Sequence, residues 1–119
     1  MTFPSITFKH TNTEPDYTLQ ALVTDKFFAL EKYLGGATAR CQVEFEKIAA
    51  HQHGPVCRIE VNLWRNSILF RAEGTDETFE KAVDVVRRHL EQELERAHDK
   101  RINVFRRSAR RMKEVMRWS

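Results

Sequence analysis

Residues 76–100 have the sequence DETFEKAVDVVRRHLEQELERAHDK, and this stretch decides the fold. Its apolar residues recur at steps of three and four, so they share one face of an amphipathic helix. They are Phe79, Ala82, Val83, Val86, Leu90, Leu94 and Ala97. Gly74 precedes the helix as a breaker, and Thr75 or Asp76 is expected to cap its first turn. This is the largest apolar stripe of the chain, so we expect the preceding segments to pack against it.

Five shorter segments precede this helix. Alternating polarity predicts strands at residues 5–9, 40–47, 57–64 and 68–73, because side chains along a strand point to opposite faces in turn. A first helix is expected from a cap at Thr13 to about Leu34, where Gly35 and Gly36 end it. Its apolar face consists of Leu19, Leu22, Val23, Phe27, Leu30 and Leu34.

The predicted order of elements is β-α-β-β-β-α. Short loops between the last three strands predict an antiparallel meander. Each strand has one apolar face and each helix one apolar stripe, so we expect an α+β fold: a two-layer sandwich of a four-stranded sheet with two helices on one face. The open face of the sheet is nearly balanced in charge. It carries Lys9, Arg40, Glu44, Glu46, Arg58, Glu60, Arg71 and Glu73.

Length and composition indicate one soluble domain. The chain has 119 residues, of which 41% are hydrophobic and 31% charged, and these values are typical of globular proteins. Neither a signal-peptide pattern nor an apolar run of membrane-spanning length is present, so we expect a cytoplasmic protein without a membrane partner. We expect an α+β domain at residues 1–101 and a basic C-terminal tail at residues 102–119.

The net charge of +3 is divided unevenly along the chain. Residues 1–99 carry 12 Lys and Arg against 16 Asp and Glu, whereas residues 100–119 carry 8 against 1. A block this basic predicts a polyanionic partner. Arginines interleaved with aromatic residues suit RNA, through phosphate pairing and stacking. The same pattern also suits an anionic membrane or a groove on a protein partner, and it could merely keep the chain in solution.

No pattern in the sequence predicts catalysis, a cofactor or a small-molecule substrate. His51 and His53 have a spacing that could ligate a metal, but a third ligand is lacking. We expect Cys41 and Cys57 in the core, with Cys57 opposite Glu46 and therefore about 16 Å from Cys41, too far for a disulfide. We predict a protein that binds and does not catalyse, without a metal.

Several short stretches carry a family resemblance. Residues 25–34 have the sequence DKFFALEKYL. In this stretch Lys26 and the apolar Phe27 are followed, after two further residues, by Leu-Glu-Lys-Tyr and a final apolar residue, Leu34. Residues 82–84, Ala-Val-Asp, and the positions of Leu90, Leu94 and Lys100 fit a second conserved helix. The phrase Arg-Ala-Glu at residues 71–73 precedes that helix. Over about residues 5–101 the chain resembles the ribosome hibernation-promoting factor family, also called ribosome-associated inhibitors.

The resemblance implies a function. Family members have a β-α-β-β-β-α fold similar to a double-stranded-RNA-binding domain. They bind the small ribosomal subunit in its mRNA and tRNA channel under stress, stabilise idle ribosomes and do no chemistry. The implied partners are the small subunit and its rRNA, and we expect a monomer off the ribosome. The residues after 101 are too few for the dimerisation domain of long members, so the chain resembles the short type.

The resemblance also implies RNA contacts. The family's second helix is richer in lysine and arginine than this one, where His89, Gln92, Glu95 and His98 occupy positions that are often basic. This departure shifts the expected contacts toward Arg87, Arg88 and the tail. The expected RNA-binding residues are Lys9, Lys26, Lys32, Arg87, Arg88, Arg96, Lys100, Arg101, Arg106, Arg107, Arg110 and Arg111.

Two alternatives to these contacts stay open. The charges of the second helix could form a solvated ladder of pairs spaced by three or four residues, namely Lys81–Asp84, Asp84–Arg88 and Arg87–Glu91. The chain could also be an interaction module whose basic amphipathic tail docks on a protein or a membrane. Trp64 and Leu69 on the open sheet face could form a contact patch, although isolated exposed apolar residues are ordinary.

Overall fold

The structure is a computed structural model that describes residues 3–48, 54 and 56–117, with side chains described as far as residue 98. Its elements have the predicted order β-α-β-β-β-α, with one additional 3₁₀ turn. They are β1 (Ile6–Thr11), α1 (Tyr17–Phe28), the 3₁₀ turn (Glu31–Tyr33), β2 (Ala39–Lys47), β3 (Cys57–Arg65), β4 (Ile68–Asp76) and α2 (Phe79–Arg117). Among the described residues, no helix combines the length and hydropathy needed to span a membrane.

The four strands form one mixed sheet in the order β1-β2-β3-β4. The predicted meander is confirmed, since β2, β3 and β4 pair antiparallel, with Val43 opposite Val61 and Val61 opposite Ala72. β1 pairs with β2 in parallel, with Ile6 beside Cys41. Parallel neighbours need a crossover connection, which α1 supplies.

The core lies between the inner face of this sheet and the two helices. One cluster of buried side chains joins α1, the 3₁₀ turn, the strands and α2, which confirms the two-layer α+β sandwich. Leu90 and Leu94 of α2 are fully buried, as are Phe27 of α1 and Phe45 of β2. The predicted apolar faces of both helices are therefore correct, although Leu22, Phe79 and Ala97 are only partly buried.

The limits of α1 differ from the prediction. Asp16, and not Thr13, caps the helix: its Oδ1 accepts a hydrogen bond of 2.8 Å from the backbone N–H of Leu19. The α-helix ends at Phe28, and the following 3₁₀ turn carries the chain on to Leu34, which is buried. Gly35 and Gly36 then have positive φ angles of 53° and 80° and end the helical segment, as the sequence predicts.

Gly74 does not break the chain before α2, which is the main correction to the fold. It continues β4 opposite Ile59, and α2 begins only at Phe79. Thr78 serves as the cap in place of Thr75 or Asp76, since its hydroxyl accepts a 3.2 Å hydrogen bond from the N–H of Lys81. A Cβ at Gly74 would lie 3.0 Å from Cγ1 of Val85, so glycine here allows β4 and α2 to approach closely.

The far end of α2 also differs from the prediction. The helix was expected to end near residue 100, but its backbone continues to Arg117. At 1.5 Å per residue, its 39 residues span about 58 Å. The division of the chain into a domain at residues 1–101 and a tail at residues 102–119 stays a prediction.

Both cysteines lie in the core, as predicted. Cys57 pairs with Lys47, one residue away from the expected partner Glu46. The two thiols are free and buried. Burial raises the pKa of Cys41 to about 12 and also raises the pKa of Cys57, so both thiols are protonated at neutral pH.

Candidate nucleic-acid interface

The cation nearest the end of α1 bridges the two helices. Lys26 lies in the last turn of α1, and its Nζ is 3.2 Å from Oδ1 of Asp84 on α2. Both side chains are about half exposed. Asp84 is therefore paired across the helix interface, and neither of the two predicted pairs within α2 that use Asp84 is present among the described contacts. Lys26 could contact RNA only in competition with Asp84.

Two further cations of α2 are paired within their own helix. Nη1 of Arg87 is 2.8 Å from Oε2 of Glu91, which confirms one of the three pairs of the solvated ladder. Nη1 of Arg96 lies 3.2 Å from Oε1 of Glu93. Each pair neutralises locally the charge that a phosphate would need, so these two arginines are weak candidates for RNA contacts.

Among the expected contacts on the helices, Arg88 and Lys32 are the ones best placed to meet a phosphate. Arg88 is exposed, and within the part of the chain whose side chains are described it makes no ion pair. Lys32 is exposed on the 3₁₀ turn, with its Nζ 5.2 Å from the centre of the Tyr33 ring. A cation over an aromatic face keeps its charge accessible to an anion.

Tyr33 ties the 3₁₀ turn to α2, a contact that sequence reasoning missed. Its hydroxyl donates to Oε1 of Glu95 at 2.8 Å and approaches Oε1 of Glu91 at 3.3 Å. Partial burial and the hydrogen bond to Glu95 raise the pKa of Tyr33, so the hydroxyl stays protonated and keeps donating. The contact also places the carboxylates of Glu91 and Glu95 close together on the helical surface. Their negative charge lowers the attraction of this surface for a polyanion.

The open face of the sheet is compensated in charge. Arg58 contacts three carboxylates, at 3.3 Å for Glu46, 2.7 Å for Glu60 and 2.9 Å for Glu73. Arg71 also pairs with Glu60. Hydrogen bonding from Arg58 lowers the pKa of Glu73. Partial burial acts to raise the pKa of Glu60, but its hydrogen bonds with the two arginines outweigh burial and lower it.

Lys9 stands apart from the other expected contacts. It is exposed on β1, beside Glu44 of β2, on the face of the sheet that points away from both helices. The structure therefore does not bring Lys9 together with Lys26, Lys32 and Arg88. One RNA helix lying along α1 and α2 could not reach it.

The remaining expected contacts lie beyond the described side chains. These are Lys100, Arg101, Arg106, Arg107, Arg110 and Arg111. His51 and His53 also lie outside the described residues. Among the residues that are described, no cluster of three or more His, Cys, Asp or Glu side chains could hold a metal ion.

Comparisons with known proteins identify a family and agree with the observed fold. A family model described as "Sigma 54 modulation protein / S30EA ribosomal protein" matches residues 5–102. The Protein Y N-terminal domain of Thermus thermophilus has a TM-score of 0.64 and 21% identity, over 76% of this chain and 93% of that one. A ribosomal subunit interface protein from Coxiella burnetii has a TM-score of 0.59 and 15% identity, and the match covers 79% of this chain and 97% of that one. No curated protein matches.

Proposed function

The chain belongs to the sigma 54 modulation protein / S30EA ribosomal protein family, and from this premise we propose that it binds the small ribosomal subunit and inhibits translation. The observation that carries the proposal is the family match over residues 5–102 on a fold with the expected element order. The predicted resemblance to ribosome hibernation factors is thereby confirmed at the level of the family.

The proposed mechanism is steric. A protein that occupies the mRNA and tRNA channel of the small subunit excludes both ligands and holds the ribosome idle during stress. This needs affinity for rRNA and shape complementarity, and it needs no catalytic group. We therefore propose a cytoplasmic, non-enzymatic protein that is monomeric off the ribosome.

Charge supports a polyanionic partner. The 8 basic residues among residues 100–119 stand against a single acid, and cations at a phosphate backbone bind by releasing condensed counterions. The exposed side chains of Lys32 and Arg88 add candidates on the folded body. RNA helices are recognised largely through their backbone and shape, so scattered cations are sufficient.

Sedimentation through sucrose gradients tests the binding. Purified chain is mixed with isolated small subunits, or with isolated large subunits as the matched control, at low and at high salt. We expect the chain to move with small subunits at low salt and to be released at high salt. Failure to sediment with either subunit would refute ribosome binding, and sedimentation with large subunits alone would refute the proposed location.

Translation in a cell extract tests the mechanism. We expect peptide synthesis to fall when the chain is in several-fold excess over ribosomes, and added mRNA and tRNA to restore it by competition. Unchanged synthesis under conditions where the chain sediments with ribosomes would contradict occupation of the channel.

The continuous helix of α2 favours one other candidate function. A basic helix that extends past residue 100 could lie on an anionic membrane or in a groove of a protein partner. Flotation with vesicles of phosphatidylcholine containing phosphatidylserine separates this candidate from the first. We expect the chain to stay with ribosomes when both are present.

A further inference from the structure

Three outward-facing residues form a row across one end of the open sheet face. Arg40 on β2 pairs with Trp64 on β3, and Trp64 pairs with Leu69 on β4. The Arg40 guanidinium lies over the Trp64 indole, with its Cζ 4.3 Å from the ring centre. A guanidinium that stacks on an aromatic ring has a second planar face, and Arg40 is exposed, so this face is available to a ligand.

Arg40 differs from the other arginines of this face because it has no acidic partner among the side chains that the structure describes. Arg58 and Arg71 both contact Glu60, whereas Arg40 is exposed and stacks on Trp64. Its charge is therefore not neutralised within the described structure. The stack combines an open planar surface with an uncompensated positive charge.

A cavity that is open to solvent adjoins the stack. It has a volume of about 320 Å³ and is lined by Thr38, Ala39, Arg40, Trp64 and Asn66. The β3–β4 turn fixes its wall, because the N–H of Asn66 donates to the Thr38 carbonyl at 2.7 Å and the N–H of Thr38 donates to Asn66 Oδ1 at 3.2 Å. These two hydrogen bonds fix the positions of Thr38 and Asn66 in the wall of the cavity.

The stack lies at the end of the domain from which the basic part of α2 departs. α2 starts near the opposite end, where Phe79 packs edge-on against Phe45. It reaches the end that carries the stack at Glu95, which bonds to Tyr33, and the Tyr33 carbonyl accepts from Arg65 beside Trp64. The basic residues after 98, which the proposed function assigns to RNA, therefore follow this end of the sheet along α2.

From this arrangement we infer that Arg40 and Trp64 form a stacking site for an unpaired RNA base. An unpaired base supplies the planar surface that the open guanidinium face accepts, and its phosphates supply the matching charge. The bases of a duplex already stack on each other and cannot enter. The inference rests on the proposed function, and it adds a single-stranded segment of RNA as the ligand of a surface on the opposite side of the sheet from α1 and α2.

Tryptophan fluorescence tests the site directly. The chain has two tryptophans, Trp64 and Trp118, so a Trp118→Phe variant reports on Trp64 alone. A 12-nucleotide oligoadenylate is titrated against this variant, with a 12-base-pair RNA duplex as the matched control. We expect the oligoadenylate to quench the fluorescence and the duplex to leave it unchanged. Equal responses to the two RNAs, or no response to either, would overturn the inference.

Substitutions test the contribution of the site to ribosome binding. Arg40→Lys keeps the charge and removes the planar group, so we expect affinity for small subunits to fall about 5-fold or more, and Trp64→Leu to weaken it by about 5- to 100-fold. Arg71→Ala on the same face is the control and should bind as the unchanged chain does. Trp64→Phe keeps a ring for the fold and should lose less than Trp64→Leu.

The outcomes separate this inference from the proposed function. Loss of ribosome binding by the unchanged chain would refute the proposed function. Binding that is intact in the unchanged chain and equally intact in Arg40→Lys and Trp64→Leu would refute only the stacking site. If Leu69→Ala weakens binding as much as Trp64→Leu while oligoadenylate leaves the fluorescence unchanged, the row contacts a ribosomal protein and the inference is wrong.

Discussion

The two halves of α2 belong to one continuous helix and differ in what their residues do. Residues 79–98 carry 4 basic and 5 acidic residues, and five of their apolar side chains, Leu90 and Leu94 among them, are fully buried. Residues 99–117 carry 8 basic and 2 acidic residues. The first half is built into the core, and the second half carries a net charge of +6.

This difference separates stability from binding along a single element. In the first half the cations Arg87 and Arg96 already have acidic partners, and the whole of residues 1–99 has an excess of 4 negative charges. A polyanion therefore gains little binding free energy from residues 1–99. We therefore expect changes at buried positions of the first half to alter stability, and changes in the second half to have the larger effect on ribosome affinity.

The largest effect is expected at the centre of the first half. Leu90→Ala removes a side chain that is 0% exposed and should lower the free energy of unfolding by about 2–5 kcal/mol, through lost burial and the cavity left behind. Urea denaturation measures this loss. Gln92→Ala, at an exposed position of the same helix, is the control and should change stability by less than about 0.5 kcal/mol. Equal losses for both variants would show that this half is not part of the core.

A buried arginine gives the next largest effect. Arg65 lies one residue beyond the predicted strand at residues 57–64, but in the structure it is the last residue of β3 and only 9% exposed. Its Nη1 donates to the Tyr33 carbonyl at 3.1 Å, and its guanidinium lies 5.0 Å from the centre of the Phe70 ring. Arg65→Ala should cost about 1–3 kcal/mol of stability by leaving that carbonyl unpaired. Thermal unfolding measures this loss. The control is Arg88→Ala, at an exposed position, and we expect its melting temperature to equal that of the unchanged chain.

The carboxylates around Arg58 predict a smaller, pH-dependent effect. The pKa values of Glu60 and Glu73 are lowered in the folded chain, so this network adds stability above the unfolded pKa of about 4.3 and loses it as pH falls through the folded values. Arg58→Ala should cost about 1 kcal/mol at pH 7 and almost nothing at pH 2–3. Urea denaturation at both pH values measures the difference, and a cost that does not depend on pH would contradict the network.

The smallest effect separates free from paired cations on the helices. Arg88→Ala should reduce the slope of log affinity against log salt for small subunits by about 0.7–0.9, the value for one phosphate contact. Arg87→Ala removes a cation that is 2.8 Å from Glu91 and should change the slope less. The fourfold variant at Lys26, Lys32, Arg87 and Arg88 should flatten the slope further and leave the fold intact. If all variants have the same slope as the unchanged chain, these residues do not contact phosphates and are only solvated surface charges.

The architecture could be predicted from the sequence because its signals are periodic. Alternation identified the strands, and steps of three and four identified both helices. The element limits were missed where two residues could serve equally well. Thr13 and Asp16 are both suitable caps, and only the backbone geometry selects Asp16. Gly74 resembles a breaker in isolation but pairs with Ile59.

The candidate site was less predictable because pairing depends on distance across elements. The sequence shows which residues are charged, but it does not show that Lys26 meets Asp84 or that Arg40 has no acidic partner among the described side chains. The Arg40–Trp64 row depends on strand register, and the predicted register at Cys57 was wrong by one residue. The individual RNA contacts stay predictions.

Deletion of residues 102–119 tests the separation of stability from binding most directly. The melting temperature and the affinity for small subunits, over a series of salt concentrations, are measured for the full chain and for residues 1–101. We predict a nearly unchanged melting temperature, because Leu94 is the last fully buried residue described in α2. We also predict a greater loss of affinity than any double substitution on the helices causes, with a clearly flatter salt dependence. A large drop in melting temperature with affinity retained would contradict the account.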